Sequence, residues 1–214
     1  FYICIPFYLS IYDIGFLDSY FESVSGFTTT GFSIIDNIDI IDKPLILWRS
    51  SSQWLGGLLF IIATIGTIGS KQLKIKPAYL LLGGSSERNF YNNFYYNFIK
   101  ILIIYILSTI FCIYLYSLIN VRLFDAFNSA FTIISAGGFL PTDNLLKIVE
   151  SNLQIFILSI TLIFPILNFF LVYDIITRQF SFRNHQEDLH LFSLSIMLTL
   201  FFYFFVITNE SFVN

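Results

Sequence analysis

The stretch FESVSGFTTTGFS, Phe21 to Ser33, joins a short apolar helical pattern to three threonines and a glycine followed by phenylalanine. No charged residue lies between Ser23 and Ile35. The segment is too short to cross a bilayer, which takes about 20 residues. Backbone that leaves the helical state at membrane depth needs protein or water to cover it. We therefore predict a re-entrant segment beside a water-filled pore, with a half-helix leading in and an extended loop leading out.

The composition indicates a membrane protein. Of the 214 residues 56% are hydrophobic and 12% are charged, and the mean hydropathy is +0.77. A soluble domain cannot bury that much apolar surface. The net charge of -3 is spread out, without a basic stripe for nucleic acid, and two cysteines in apolar runs indicate neither a disulfide framework nor a metal site. Because the chain starts inside an apolar run without methionine, we expect it to be an internal part of a longer protein.

Four runs are long and apolar enough to cross a bilayer. They are residues 44–68, 101–121, 151–173 and 191–208, and residues 1–12 are predicted to be the end of a fifth span. The connector at 69–100 carries five basic residues against one acid, so the positive-inside rule places it in the cytoplasm. The connector at 13–43 holds six acids against one lysine and is expected outside. There it would attract cations or form a plain solvated loop.

A second segment of the same kind follows at an offset of 107 residues. It aligns without a gap, and the pairs that match are Asp18 with Asp125, Gly31 with Gly138, Phe32 with Phe139, Asp36 with Asp143, and the hydroxyl pairs Ser25 with Thr132 and Thr28 with Ser135. We therefore predict an all-α membrane protein built from parallel repeats of span, pore helix, filter loop and span.

The two loops are predicted to bind a cation through backbone oxygens. A half-helix that enters from outside directs its partly negative C-terminal end at the pore, and loop carbonyls can replace the hydration shell of an ion. Glycine supplies backbone freedom, and stiff threonines can hold the loop through their hydroxyls. The alternative is a Thr/Gly turn between membrane segments. The predicted ion-binding residues are Thr28, Thr29, Thr30, Gly31, Ser135, Ala136, Gly137 and Gly138.

Arg49 is a charge about one turn into a predicted span, where charges are expensive and usually functional or paired. Arg49, Gln53 and Gly56 share a helix face. We expect that face to support the filter from behind the first pore loop, with Arg49 bracing loop carbonyls or an acid such as Glu22. The alternative for Arg49 is snorkelling to the outer headgroups. The predicted spans show no catalytic cluster, so we do not expect an enzyme; a membrane enzyme or a scaffold with structural loops is the alternative class.

Three ordered motifs resemble the Trk/Ktr/HKT superfamily of potassium transporters, and most closely the Trk-type bacterial potassium-uptake subunit. They are the opening stretch, LILWRSSSQWLGG at Leu45 to Gly57, and FTIISAGGFLPTD at Phe131 to Asp143. In the third motif Ala136 stands where the family often has threonine, which would remove one hydroxyl brace. The resemblance implies potassium uptake through a carbonyl selectivity filter. A Na⁺-conducting relative is the alternative, because plant relatives with serine at the position of Gly31 favour Na⁺.

The resemblance also implies how the chain is organised. Family members carry four units around one pore, and two of the four are expected here. The first repeat is expected at 1–76, with its pore helix and filter at 17–33, and the second at 99–178, with its pore helix and filter at 124–139. A cytoplasmic linker is expected at 77–98, and a link with the first span of a third repeat at 179–214. The expected location is the inner cell membrane, with multiple passes. Expected partners are the lipid bilayer, a second copy in a homodimer and cytosolic nucleotide-binding regulatory subunits, but no nucleic acid. K⁺ is the expected transported ion, and no cofactor, catalytic residue or other metal is expected.

Overall fold

A computed structural model of the chain describes residues 1–68, 90–162, 165, 190, 193–198 and 201. The chain divides into two units, residues 1–165 and 166–214. In the second unit residues 193–198 are helical. Within the described ranges of both units the regular structure is entirely helical, without a strand.

Six α-helices form the described part of the first unit. They are α1 (Ile5–Tyr8), α2 (Phe16–Phe27), α3 (Lys43–Ile68), α4 (Phe90–Leu118), α5 (Leu123–Ile134) and α6 (Asn152–Thr161). Three 3₁₀ turns accompany them, at Tyr2–Cys4, Ile38–Ile40 and Leu145–Lys147. Helix α6 starts with a capping box, in which the Ser151 side chain accepts the N–H of Gln154 and the Gln154 side chain accepts the N–H of Ser151.

Two helices are long and apolar enough to cross a bilayer by length and composition: Lys43–Thr64 in α3 and Phe98–Leu118 in α4. The predicted spans at 151–173 and 191–208 lie partly outside the described residues, and their described parts include α6 and residues 193–198. The predicted end of a further span at 1–12 holds a 3₁₀ turn and the one-turn helix α1, so its helical part stops at Tyr8.

The two short helices α2 and α5 share their length and their first turn. Each has 12 residues, and each carries an aspartate, Asp18 or Asp125, in its first turn. A carboxylate there is favourable because it faces the partly positive end of the helix. The 107-residue offset persists in the structure, since it separates both the starts of α2 and α5 and the two 3₁₀ turns that follow the loops.

Helix α3 packs against both short helices, and α4 packs against α5. Small residues make this close approach possible. A Cβ atom on Gly56 would overlap the carbonyl oxygen of Phe27 at the end of α2. A Cβ on the next residue, Gly57, would come within 2.9 Å of the Ser135 side chain at the end of α5. Helix α3 therefore lies against the C-terminal ends of both short helices, α2 and α5.

Candidate functional site

The loops that follow α2 and α5 are held to their helices by the same hydrogen bonds. The N–H of Thr30 donates to the carbonyl of Ser25 at 2.9 Å, and the N–H of Gly137 donates to that of Thr132 at 2.8 Å. The hydroxyl of Ser25 donates to the carbonyl of Phe32 at 2.5 Å, and that of Thr132 donates to the carbonyl of Phe139 at 2.6 Å. Each loop therefore runs back alongside the helix that leads into it.

These two hydroxyls matter more to the loops than the threonine run does. Thr28 donates to the carbonyl of Val24 at 2.8 Å, and the hydroxyls of Thr28 and Thr30 lie 2.7 Å apart. The hydroxyl of Thr29 makes no hydrogen bond with a described residue. Ala136 occupies the position of Thr29 in the second loop, so the first loop does not support the idea of a hydroxyl brace at this position, and the loss of a brace at Ala136 stays a prediction.

Both loops contain two residues in the left-handed region, at equivalent places. Thr29 and Gly31 have φ of 55° and 79°, and Ala136 and Gly138 have φ of 54° and 84°. Left-handed backbone is costly for threonine and alanine and persists only where the surroundings enforce it. In an extended strand successive carbonyls point to opposite sides. Left-handed residues at alternate positions break that pattern, so the loops can turn successive carbonyls to one side.

Most carbonyl oxygens in the two loops have no hydrogen-bond donor among the described residues. This holds for Thr28, Thr29, Thr30 and Gly31, and for Ser135, Ala136 and Gly138. Backbone carbonyls in folded proteins are nearly always paired with protein or water. Ser135 is buried and the other six residues are half-buried or exposed, so this row of oxygens is suited to bind a cation or its water.

The two loops meet at their glycines. A Cβ on Gly31 would overlap the carbonyl oxygen of Gly137, and a Cβ on Gly138 would lie 3.9 Å from the Cα of Gly31. Gly31 is thus required for its positive φ and for the space that the neighbouring loop occupies. The residues predicted from the sequence as two separate loops are adjacent in space.

A buried ion pair joins α3 to α2. The guanidinium of Arg49 contacts the Glu22 carboxylate at 2.8 Å, and the two side chains are 1% and 0% exposed. Glu22 also accepts from the hydroxyl of Ser33 at 3.1 Å and from the N–H of Ile34 at 3.2 Å. The carboxylate therefore fixes the chain as it leaves the first loop, and Arg49 is paired rather than directed to headgroups.

Arg49 reaches the second loop as well. Its guanidinium donates to the carbonyl of Leu140 at 3.4 Å and lies over the ring of Phe139, 4.0 Å from the centroid. Contact of a guanidinium with an aromatic face is favourable. One side chain thus connects the exits of both loops, which no spacing in the sequence indicates.

Gln53 binds the second loop. Its amide nitrogen donates to the carbonyl of Gly137 at 2.6 Å, and its oxygen accepts from the N–H of Phe139 at 3.2 Å and from the hydroxyl of Thr132 at 3.1 Å. The side chain is fully buried. The sequence predicts that the face of α3 with Gln53 and Gly56 lies behind the first loop; Gly56 does, but Gln53 lies behind the second.

The segments beyond the two loops are also linked. The Asp143 carboxylate accepts the N–H of Ile38 at 2.6 Å, and the Lys147 ammonium forms an ion pair with Asp39. The hydrogen bond to Lys147 lowers the pKa of Asp39 below its usual value, and Asp39 raises the pKa of Lys147. Four residues from the two connectors therefore form what we call the connector clasp: Ile38, Asp39, Asp143 and Lys147.

Comparison with known proteins identifies the family. The sequence model of the TrkH family, described as a cation transport protein, matches residues 6–213. The chain belongs to the TrkH family of cation transport proteins. The predictions of an all-α membrane fold and of a transporter rather than an enzyme are thereby confirmed.

Individual relatives match part of their length. The chain is 36% identical to an uncharacterized cation transporter of Methanocaldococcus jannaschii over 141 residues. This match covers 63% of the present chain and 28% of the relative. Over 170 residues the chain is 26% identical to the Trk system potassium uptake protein TrkG of Escherichia coli, a match that covers 78% of this chain and 35% of TrkG. The crystal structure of the potassium transporter TrkH from Vibrio parahaemolyticus matches with a TM-score of 0.61 and 27% identity, over 75% of this chain and 31% of that one. The chain spans about a third of the length of these relatives.

Proposed function

We propose that the chain supplies two of the four loops of a potassium-selective filter, in a protein that takes up K⁺ across the inner cell membrane. The observation that carries this proposal is the meeting of two equivalent loops, with Gly31 against the carbonyl of Gly137. Both loops have the same left-handed positions and rows of carbonyls that have no donor within the described part of the chain. Potassium uptake by named relatives supports the choice of ion.

The proposed ion ligands are the backbone oxygens of the loops. Thr28, Thr29, Thr30 and Gly31 provide one side of the pathway, and Ser135, Ala136, Gly137 and Gly138 lie on the adjacent side. Carbonyl oxygens replace the hydration shell of K⁺ without adding a fixed charge. The C-terminal ends of α2 and α5 add partial negative charge near the loops. No group of three or more His, Cys, Asp or Glu residues that could hold a metal lies among the described residues.

Arg49 and Gln53 are the proposed supports of the filter. Arg49 with Glu22 fixes the exits of the loops, and Gln53 binds two backbone atoms of the second loop and the Thr132 hydroxyl at the end of α5. Charge-assisted and fully buried hydrogen bonds of this kind hold a backbone more firmly than exposed ones. Neither side chain needs to touch the ion.

The wider organisation is part of the same proposal. The repeats at 1–76 and 99–178 belong to a four-unit pore whose filter opens to the outside, and the linker at 77–98 lies in the cytoplasm. Relatives that share the fold are named as parts of Trk systems. We propose that this protein likewise works with cytosolic nucleotide-binding subunits and as a homodimer in the bilayer.

The proposal is tested by reconstituting the intact transporter that contains this sequence in proteoliposomes. Uptake of K⁺ and of Na⁺ is measured side by side from equal gradients, against empty vesicles. We expect K⁺ uptake to exceed Na⁺ uptake. Equal uptake of both ions, or preference for Na⁺, would favour a Na⁺-conducting relative, and no ion flux would favour a scaffold whose loops are structural.

A further inference from the structure

We propose that Gln53 is a positioning residue that sets the discrimination between K⁺ and Na⁺ by holding the carbonyl of Gly137. The inference rests on the proposed function, since it concerns the same filter. It differs from simple support of the filter because it assigns the selectivity effect to one hydrogen bond, from the Gln53 amide to the oxygen of Gly137.

The Gln53 side chain bridges the two peptide groups on either side of a left-handed glycine. Its amide nitrogen binds the oxygen of Gly137 at 2.6 Å, and its oxygen binds the N–H of Phe139 at 3.2 Å. Gly138, between them, has φ of 84°. A primary amide has the donor and acceptor geometry of a peptide group. Gln53 therefore takes the place of a neighbouring strand and fixes both peptide planes around Gly138.

Gln53 packs closely against the second loop. A Cβ on Gly137 would overlap the carboxamide of Gln53. The oxygen of Gly137 is also the atom that a Cβ on Gly31 would meet. The Gly137 carbonyl thus lies between α3 and the first loop, and the Gln53 side chain that binds it is fully buried.

The equivalent carbonyl of the first loop is not held in this way. Thr30 corresponds to Gly137, and its oxygen has no donor among the described residues. The two loops therefore differ at this level of the pathway: one oxygen is free and the other is occupied by a hydrogen bond. The filter is unequal although its backbone repeats.

Holding one carbonyl affects selectivity because discrimination depends on the number and field strength of the oxygens that an ion meets. A carbonyl that is fixed by a buried donor cannot rotate to follow a smaller ion. When that donor is removed, the Gly137 oxygen is free to approach Na⁺. Loss of the bond is therefore expected to raise Na⁺ acceptance more than it lowers K⁺ transport.

Two substitutions in the intact transporter separate this bond from the others. Gln53→Met has similar length and removes all three hydrogen bonds. Gln53→Glu keeps oxygens that accept from Phe139 and Thr132 and, when ionised, has no donor for Gly137. We expect both variants to lower the ratio of K⁺ to Na⁺ uptake by about fivefold, the factor that corresponds to one net hydrogen bond. The apparent KM for Na⁺ should fall, while that for K⁺ changes less.

Thr109→Val is the matched control. Thr109 accepts a hydrogen bond of 3.0 Å from the indole of Trp54, the residue after Gln53, and it lies on α4 rather than beside a loop. The control removes a partly buried hydrogen bond of α3, the helix that carries Gln53. Its K⁺ to Na⁺ ratio should equal that of the parent, even if its thermal stability falls.

The outcomes distinguish the two proposals. If the parent protein does not prefer K⁺, the proposed function is wrong. If the parent prefers K⁺ and Gln53→Met keeps the full ratio, the role of Gln53 in selectivity is wrong. If Gln53→Met loses selectivity but Gln53→Glu at alkaline pH retains it, the bond to Gly137 is not responsible. Equal loss in Thr109→Val would also overturn the inference, because general loosening would then explain the effect.

Discussion

Gly31 and Gly138 occupy equivalent positions but have different surroundings. Both have positive φ, which costs a residue with a side chain about 1–2 kcal/mol. At Gly31 a Cβ would also overlap the backbone oxygen of Gly137, whereas at Gly138 it would have an ordinary contact of 3.9 Å. A side chain at position 31 therefore displaces the second loop as well as straining the first.

We predict that Gly31→Ser lowers the K⁺ to Na⁺ uptake ratio more than Gly138→Ser does. Both changes strain a filter loop, but only the first displaces a carbonyl of the neighbouring loop. Parallel K⁺ and Na⁺ uptake by the intact transporter measures the ratio, with surface expression determined for each variant. If both variants keep the parent ratio at normal expression, these glycines do not line the filter.

The Glu22–Arg49 pair should be strongly coupled in stability, since both side chains are almost fully buried. Removal of one partner leaves a buried charge without its counter-ion, at a cost of about 3–5 kcal/mol. We expect Arg49→Met and Glu22→Gln each to lower the thermal stability of the purified protein, and the double variant to cost much less than the sum. A double-mutant cycle on the unfolding free energy measures the coupling. Additive losses would show that the pair is not a stabilising unit.

At the level of single residues, the sequence predicts the partners that local chemistry demands. An arginine within a span needs an acid, and of the two acids in α2, Asp18 and Glu22, only Glu22 lies away from the first turn, so this pairing could be anticipated. The contact of Gln53 with Gly137 could not, because the two residues are 84 positions apart and neither has a charge that requires a partner. One weak indication in the sequence that the Ser25 and Thr132 hydroxyls hold the loops is that these two residues align in the repeat.

Helix α3 is the element that relates the two pore helices to each other. It touches the end of α2 through Gly56 and the end of α5 through Gly57. Since interiors are packed without spare volume, a side chain larger than hydrogen at Gly56 must move α3 or Phe27. A shift at this point would be transmitted to the first loop, which starts one residue after Phe27.

We predict that Gly56→Ala reduces K⁺ uptake severely and lowers thermal stability by about 1–3 kcal/mol, the usual cost of an overpacked site. Gly15→Ala is the control, because a Cβ there would meet only the Asp18 carboxylate at an ordinary 3.4 Å. Uptake per molecule at the membrane and thermal stability are measured for both. Full activity of Gly56→Ala would mean that α3 does not set the position of the first loop.

At the level of elements, pattern and length predict the short helices and the long span well. Helix α2 covers the apolar part of the opening stretch and ends one residue before Thr28, where residues with poor helix propensity begin. The relation of α3 to both loops is a tertiary property. It depends on glycine contacts across helices, which a linear pattern does not encode.

The charge distribution predicts how the protein is oriented in the membrane, and this orientation stays a prediction. Cysteine labelling in intact cells tests it, because Cys4 and Cys112 are 2% and 0% exposed and should give little background. Ile40 is 66% exposed in the acidic connector that is predicted to lie outside, next to Asp39 of the connector clasp. Lys74 belongs to the basic connector and lies outside the described residues.

We predict that Ile40→Cys reacts with a membrane-impermeant thiol reagent in intact cells, whereas Lys74→Cys reacts only after permeabilisation. The asymmetry of basic residues is the physical reason. Labelling of the opposite pattern would invert the topology and turn the filter loops towards the cytoplasm. A parent protein with its native cysteines alone serves as the blank.

The carboxylate of Glu22 bears on whether the two filter loops could replace each other. It accepts the N–H of Ile34, the third residue after Gly31. The third residue after Gly138 is Pro141, which has no N–H to donate, and the residue that corresponds to Glu22 is Ser129, a buried hydroxyl without a partner among the described residues. The acid and the amide are therefore both present at the first loop and both absent at the equivalent positions of the second. If the first loop were grafted into the second repeat, the N–H of Ile34 would lie where Ser129 replaces the Glu22 carboxylate. We therefore expect that the two loops cannot replace each other.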